Sequence, residues 1–222
     1  MFDGKTFEKA VAERNRNWTK TDAILYQMCR DMPRHDSPGE TRAKLLIIGR
    51  SYATGIERTV RSKGQQGSSV EQLAEYFCRN ATLIDGQMDR IRSLDGSRVE
   101  HFREAVDVHG HLVRILTKKI CTRSPRSFVS KYLHFHFPFV PIYDSYAQLA
   151  LSRAIPWTDA VEEAFKSPRS ADETYCFFCK RFWTLYEEAA SRKPQALVKE
   201  LDRYLCYLER AHRRRSSRLS GP

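Results

Sequence analysis

Apolar side chains recur every three to four residues along most of the chain, the spacing that places them on one face of an α-helix. No segment alternates apolar and polar residues convincingly, so no strand is predicted. We therefore expect an all-α fold of about nine or ten helices, in a single compact domain over residues 1–210. The periodic runs cover residues 5–32 (with a break near 15–19), 41–62, 70–79, 85–93, 97–120, 157–165 and 171–191.

Local signals mark several helix ends. Ser97 and Glu100 have the spacing of a capping box, and Pro194 is placed to open the last helix. The chain then finishes in an arginine-rich stretch with no apolar periodicity. We expect residues 211–222 to form a basic, disordered tail.

Residues 127–151 are the densest run of aromatic and imidazole side chains in the chain. Nothing breaks a helix as far as Phe137, but Pro138 and Pro141 then impose an extended turn, because each fixes its own φ. Asp144 follows the turn and precedes a new helical pattern, where its carboxylate can cap free backbone N–H groups. The segment therefore predicts a helix, a proline turn and a carboxylate at the start of the next helix.

The charge balance narrows the classes of partner. The 222 residues include 38 Lys and Arg against 27 Asp and Glu, a net charge of +11. Such a charge favours a polyanionic partner such as DNA, RNA or an anionic membrane. No apolar run approaches the length of a membrane span, and the first residues contain no apolar signal segment, so we expect a cytoplasmic protein.

The six cysteines are expected to be free thiols, since the cytoplasm keeps thiols reduced. Cys176 and Cys179 form the one tight pair, and only Cys206 follows it. A zinc or iron–sulfur site would need further ligands at close spacing. Buried helix cysteines explain the pair better, and we expect neither a metal nor another cofactor.

Two blocks of sequence carry a resemblance to a known family. The first is LLIIGRSYATGIERTV at residues 45–60, and the second is VPIYDSYA at residues 140–147. Together they resemble the helix–hairpin–helix DNA glycosylases, which excise oxidised, mismatched or alkylated bases. The resemblance implies that fold, a polar helix end at Tyr52 near the extruded nucleotide, and Asp144 at the position of the catalytic aspartate.

Some features differ from the family pattern. The glycines of the phosphate-binding hairpin are replaced by Ser-Pro-Arg-Ser at residues 124–127, so that Arg123 or Arg126 would take over the contact. Lys131 stands too close to Asp144 to match the lysine of the lyase branch, and a tyrosine replaces the histidine that usually follows the aspartate. The stretch SKYLHFHFPFVPIYDSYA is most similar to bacterial anti-phage glycosylases that excise glucosylated hydroxymethylcytosine from T-even phage DNA.

Asp144 and Lys131 are the candidate catalytic residues. Cleavage of an N-glycosidic bond builds positive charge on the sugar, which a nearby carboxylate stabilises. Helix capping is the structural alternative for Asp144, and both roles can hold at once. Lys131 would be a nucleophile only if its amine were neutral. A phosphate contact or a solvated lysine explains it better, so we expect a monofunctional enzyme that leaves an intact abasic site.

Aromatic and imidazole side chains are candidates for a base pocket. Tyr52 and Tyr143 could stack on a flipped base, and His134 could line the pocket. Core packing is the alternative explanation for each of them. His134, His136 and Asp144 could instead hold a metal, although an HxH pair is more typical of a strand.

Four arginines are candidate DNA contacts. Arg50 and Arg58 lie on or near the helix predicted over residues 41–62, and Arg123 and Arg126 precede the central segment. Each could contact a phosphate. An ion pair with a neighbouring carboxylate, or a solvated basic surface, is the alternative.

The favoured hypothesis is a monomeric DNA glycosylase that flips a modified base out of double-stranded DNA and hydrolyses its glycosidic bond, in anti-phage defence. One alternative is a nucleic-acid-binding protein without enzymatic activity on the same scaffold. A base-excision repair glycosylase for a damaged base and a metal-dependent nuclease are the others.

Overall fold

The helical periodicity of the sequence is realised along the computed structural model. The described residues form eleven α-helices and one short 3₁₀ turn, slightly more than the nine or ten predicted, and they pack into one all-α body. These residues contain no strand, only an isolated antiparallel bridge between Val60 and Cys121. The residues that the structure describes are 2–13, 16–60, 68–193 and 197–219.

The prediction of an all-α fold is therefore confirmed, and most helices lie within a few residues of their predicted positions. The α-helices are α1 Gly4–Ala12, α2 Arg16–Asp31, α3 Pro38–Ser51, α4 Ser69–Arg79, α5 Ala81–Asp89, α6 Val99–Lys119, α7 Arg126–His136, α8 Ser145–Ala154, α9 Asp159–Glu162, α10 Glu173–Arg192 and α11 Val198–Leu219.

The helix predicted over residues 41–62 is shorter than expected. α3 ends at Ser51, because Ala53 (φ 46°) and Gly55 (φ 67°) carry the backbone into the left-handed region, where a right-handed helix cannot continue. The 3₁₀ turn Ile56–Arg58 follows. Residues 61–67, which run from the end of this predicted helix towards the one predicted over residues 70–79, lie outside the described residues.

The predicted capping box of α6 is wrong. Arg98 occupies the N-cap position without a side-chain hydrogen bond, and the Ser97 N–H instead donates to Asp95 Oδ1 at 2.9 Å. The Asp95 side chain therefore holds Ser97 in the turn before the helix rather than at its N-cap. Ser68 and Glu71 form a capping box at the start of α4.

The tail predicted to be disordered is helical as far as Leu219. The helix is supported where Arg213 pairs with Glu209 at 2.7 Å, one turn earlier, and lies 4.4 Å from the ring centre of Tyr146. An i,i+4 ion pair of this kind stabilises a helix modestly. Residues 220–222 and Pro194 lie outside the described residues.

α6 lies between two apolar clusters. Its Ala105 and Val108 pack into a cluster built from α2 to α7, while its Phe102 and Val106 pack into a cluster built from α1 and α8 to α11. Gly110 of α6 permits a close approach, since a Cβ at this position would lie 2.1 Å from the Ser170 carbonyl oxygen. None of the described helices combines the length and the apolar character that crossing a membrane would demand.

Candidate active site

A cavity of about 400 Å³ opens where residues of both clusters meet. Its wall is formed by α1, α2, the end of α3, α7, the start of α8 and α11. This volume is within the usual range for small-molecule sites. Equal numbers of cationic and acidic side chains line the cavity: Lys131, Lys199, Arg203 and Arg210 against Glu13, Asp22, Asp144 and Asp202.

Asp144 combines the two roles that its sequence context suggests. It is the N-cap of α8, where its Oδ1 accepts a hydrogen bond from the Ala147 N–H at 2.8 Å, and it also lines the cavity. The extended turn before it is anchored twice. The Tyr143 N–H donates to Ser130 Oγ at 3.0 Å, and the Tyr175 hydroxyl donates to the Pro141 carbonyl at 2.8 Å. These bonds fix the position of the carboxylate.

Lys131 lies on α7 and faces the same cavity. Only 4% of the residue is exposed, and its Nζ donates to the Tyr52 carbonyl oxygen at 3.2 Å. Burial lowers the pKa of this amine, while the carboxylates of Asp144 and Asp202 act in the opposite direction. The lysine is therefore not the solvated side chain that the sequence analysis preferred.

Tyr52 forms part of the cavity wall at the C-terminal end of α3. Its hydroxyl donates to Asp22, and Lys199 Nζ donates to the same hydroxyl at 3.1 Å. The Lys199 ammonium also lies 4.7 Å from the ring centre, and the ring of Phe135 lies 5.0 Å away. Tyr52 is thus at the site, with its ring already contacted by a cation and by a second aromatic ring.

Sequence reasoning missed the contribution of α11. Lys199, Asp202, Arg203, Cys206 and Arg210 all line the cavity. Their spacing of three and four residues places them on one face of the helix. This polar stripe on a helix whose other face is apolar is a signal that the sequence contains, but nothing in the sequence says that the stripe faces a cavity.

Asp202 is the most unusual of these residues. It is 6% exposed, its Oδ1 has no hydrogen-bond partner among the described residues, and its Oδ2 lies 3.5 Å from Lys199 Nζ. Burial raises the pKa of its carboxyl to about 6, with the Asp144 carboxylate adding to the effect and the Lys199 and Lys131 cations opposing it. A buried polar atom without a partner requires an explanation, and a ligand is one.

Three donor atoms in the cavity lie close enough to contact one ion. Oxygens of Asp144 and Asp202 and the Cys206 sulfur are all within 4.8 Å of one another. Burial and the two carboxylates raise the pKa of the Cys206 thiol, which disfavours the thiolate form that metals bind. Four cationic side chains line the same cavity. The arrangement suits a proton better than a divalent cation.

The histidines of the central segment do not line the cavity. Both ring nitrogens of His134 are engaged within the core, Nδ1 at 2.8 Å from the Val140 carbonyl oxygen and Nε2 at 2.5 Å from the Tyr26 hydroxyl. No group of potential metal ligands among the described residues includes His134 or His136. The metal site considered for these histidines with Asp144 is therefore not formed, because the helix directs His134 into the core.

Tyr143 does not line the cavity either. Its ring packs edge-on against Phe178, with 5.3 Å between ring centres, and Arg126 lies 5.4 Å from its ring centre. Arg126 itself forms a two-pronged ion pair with Asp172, at 2.5 and 3.0 Å. Both side chains therefore serve packing at the start of α7, and Arg126 is already paired with a carboxylate.

The other three arginines lie on the surface. Arg50 is exposed and pairs with Glu57 at 2.9 Å. Arg58 and Arg123 are exposed. The segments that carry them adjoin, because the Thr122 N–H donates to the Thr59 carbonyl oxygen at 2.6 Å. The structure thus brings Arg58 and Arg123 to one surface region.

Comparisons with protein-family models, with curated proteins and with solved structures find no match to this chain. The resemblance to helix–hairpin–helix DNA glycosylases accordingly stays a prediction from the two sequence blocks, to be weighed with the geometry of the cavity.

Proposed function

We propose that this protein is a DNA glycosylase that accepts an extruded nucleotide in the cavity and hydrolyses its N-glycosidic bond. The observation that carries the proposal is the convergence of Tyr52, Lys131 and Asp144 on one cavity, from segments up to 92 residues apart in the chain (144 − 52). Tyr52 and Asp144 come from the two blocks that suggested the family. Convergence of this kind is expected if the blocks form one site.

Asp144 suits the chemistry of glycosidic cleavage. As the C1′–N bond breaks, positive charge develops on the sugar, and a carboxylate held nearby lowers the energy of that state. The N-terminus of α8 favours a negative charge at this position, and the bond from the Ala147 N–H fixes the orientation of the carboxylate. Capping and catalysis are compatible uses of this side chain.

The partner proposed is double-stranded DNA. The net charge of +11 favours a polyanion, and Arg58 and Arg123 provide two exposed cations on adjoining segments. Arg126, which is paired with Asp172, is a weaker candidate for phosphate binding. These contacts would position the duplex without reading its sequence.

One observation favours a second activity, lyase cleavage of the DNA strand after base removal. Burial lowers the pKa of Lys131, which increases the fraction of neutral amine that could attack C1′ and form a Schiff base. The monofunctional mechanism predicts no covalent adduct. Borohydride trapping distinguishes the two, because a Schiff base would be reduced to a stable protein–DNA link that Lys131→Met cannot form.

The proposal is tested by incubating the purified protein, in EDTA, with T-even phage DNA and with the same DNA lacking the base modification. Released base is identified by mass spectrometry, and abasic sites are counted with an aldehyde-reactive probe. Base release from modified DNA alone is the expected result. A parallel set of duplexes with oxidised, alkylated or mismatched bases tests the repair alternative.

Other outcomes would favour the competing functions. DNA binding without release of any base would favour a non-enzymatic binding protein. Strand cleavage that requires added Mg²⁺ or Zn²⁺ and releases no base would favour a nuclease.

A further inference from the structure

Two carboxyl groups face each other across the cavity in different environments. Oxygens of Asp144 and Asp202 lie within 4.8 Å of each other. Asp144 is half-buried at the N-terminus of α8, with a backbone N–H bonded to it. Asp202 is 6% exposed on α11, and its Oδ1 has no hydrogen-bond partner among the described residues. The Asp144 carboxylate has a backbone donor at a helix N-terminus, whereas burial without a partner favours the protonated form of Asp202.

We propose that Asp202 is the general acid of this site, which protonates the departing base and then accepts a proton from the incoming water. The inference rests on the proposed glycosylase function and adds a second catalytic residue to it. Pairs of carboxyl groups whose environments separate their protonation states are the usual basis for acid and base roles in glycoside cleavage. The geometry assigns the ionised role to Asp144 and the protonated role to Asp202.

The groups around Asp202 are consistent with this role. Burial raises the pKa of its carboxyl to about 6, so a useful fraction carries a proton near neutral pH. Lys199, at 3.5 Å, limits the effect but does not cancel it. The titratable and charged groups facing Asp202 are Lys199 and Cys206 from α11, Asp144 from α8, Lys131 from α7, Tyr26 and Asp22 from α2, and Tyr52 from the end of α3.

The proposed steps balance in atoms and charge. In the first step the C1′–N bond breaks, its electron pair stays on the base nitrogen, and the Asp202 carboxyl proton moves to the base. The Asp144 carboxylate stabilises the sugar cation throughout. In the second step a water oxygen bonds to C1′, and the proton that it loses returns to the Asp202 carboxylate. The products are the free base and an abasic sugar, and both aspartates regain their starting states.

The pH dependence of single-turnover base release tests the proposal. For the wild-type protein on T-even phage DNA, we expect the rate to fall about tenfold per pH unit above pH 6. Asp202→Asn should lower the rate at pH 6 about 100-fold or more and remove this dependence. Asp202→Glu retains the carboxylic acid and should keep a pH-dependent rate. Glu187→Gln, which removes an exposed acid of α10, is the matched control.

Three results are distinguishable. A slow rate of base release that does not change with pH supports the general-acid role, if Asp202→Asn also keeps its DNA affinity and its thermal stability. A rate and pH profile equal to those of the wild type overturns this role and leaves the glycosylase function intact. No base release by the wild-type protein overturns the proposed function and, with it, the role of Asp202.

Discussion

Two buried polar clusters in this protein differ in how completely their hydrogen bonds are formed. In the first, His35 Nδ1 lies 2.5 Å from Asp85 Oδ1 and His35 Nε2 lies 2.6 Å from the Tyr132 hydroxyl, so both ring nitrogens are engaged. In the second, Asp202 (6% exposed) and Lys131 (4% exposed) are also buried, yet they line a cavity of about 400 Å³. Oδ1 of this aspartate has no partner among the described residues.

The fully bonded cluster around His35 stabilises the fold. The groups around Asp202 are held at the cavity by the fold, in the way expected of a functional site. A fully hydrogen-bonded network gains from the low local dielectric, while a partly satisfied one loses by it. Burial still lowers the pKa of His35 despite its bond to Asp85, so the imidazole is neutral in the folded protein near neutral pH. Strongly shifted groups beside a cavity are the ones that suggest a functional site.

The largest predicted loss of stability comes from breaking the satisfied network. Asp85→Ala removes the carboxylate bonded to the backbone N–H and the Nδ1 of His35. Because it leaves two buried groups without partners, the free energy of unfolding should fall by about 3 kcal/mol. For a chain of this size the thermal midpoint should fall by roughly 6–12 °C. Denaturant unfolding and calorimetry measure both quantities. A loss below about 1 kcal/mol would contradict the view that this cluster holds the fold together.

Removing a charge from the cavity should instead raise the free energy of unfolding. The pKa of Asp202 is about 6 in the folded protein, above the unfolded value of about 3.9, so its favourable contribution is present below about pH 4 and is lost as pH rises through 6. Asp202→Asn should therefore raise the free energy of unfolding at pH 8 by about 3 kcal/mol.

The gain should shrink to less than about 0.5 kcal/mol at pH 4, where Asp202 is protonated in the folded state and about half protonated in the unfolded state. Urea unfolding at the two pH values gives the comparison, with Glu187→Gln as the surface control. A loss of stability at pH 8 would show that the Lys199 contact outweighs the cost of burying the charge.

The smallest effect on stability is expected at the exposed arginines. Arg58→Ala and Arg123→Ala should change the free energy of unfolding by less than about 0.5 kcal/mol, since both side chains are exposed. If they contact phosphate, each should reduce the slope of log affinity against log salt by about 1. Titrations of a fluorescent duplex at several salt concentrations measure this slope. Unchanged slopes in both variants would remove these arginines from the DNA interface.

The helices were predictable because each depends on a local pattern. Apolar periodicity located α6 and α10, and the proline turn located Asp144 at the start of α8. The predicted end of a helix was wrong where the backbone conformation of a single residue determined it. Ala53 has a positive φ that nothing in its residue type predicts, and it ends α3 early.

Only part of the candidate site could be predicted from the sequence, because the rest depends on how the helices pack. Asp144 and Tyr52 were found through the two sequence blocks, and both line the cavity. Asp202 and Lys199 were missed because their importance depends on which way α11 faces when it packs, and that is a tertiary property. His134 shows the converse, since a histidine in a promising motif is bonded within the core.

The central claim is that Asp144 acts in glycosidic cleavage, and single-turnover base release by wild type and Asp144→Asn tests it most directly. Asparagine can still cap α8, so folding and DNA affinity should be nearly unchanged. Loss of the carboxylate charge should slow base release by about 100-fold or more. Equal rates for the two proteins on the same modified DNA would show that Asp144 is a helix cap alone, and would contradict the mechanism.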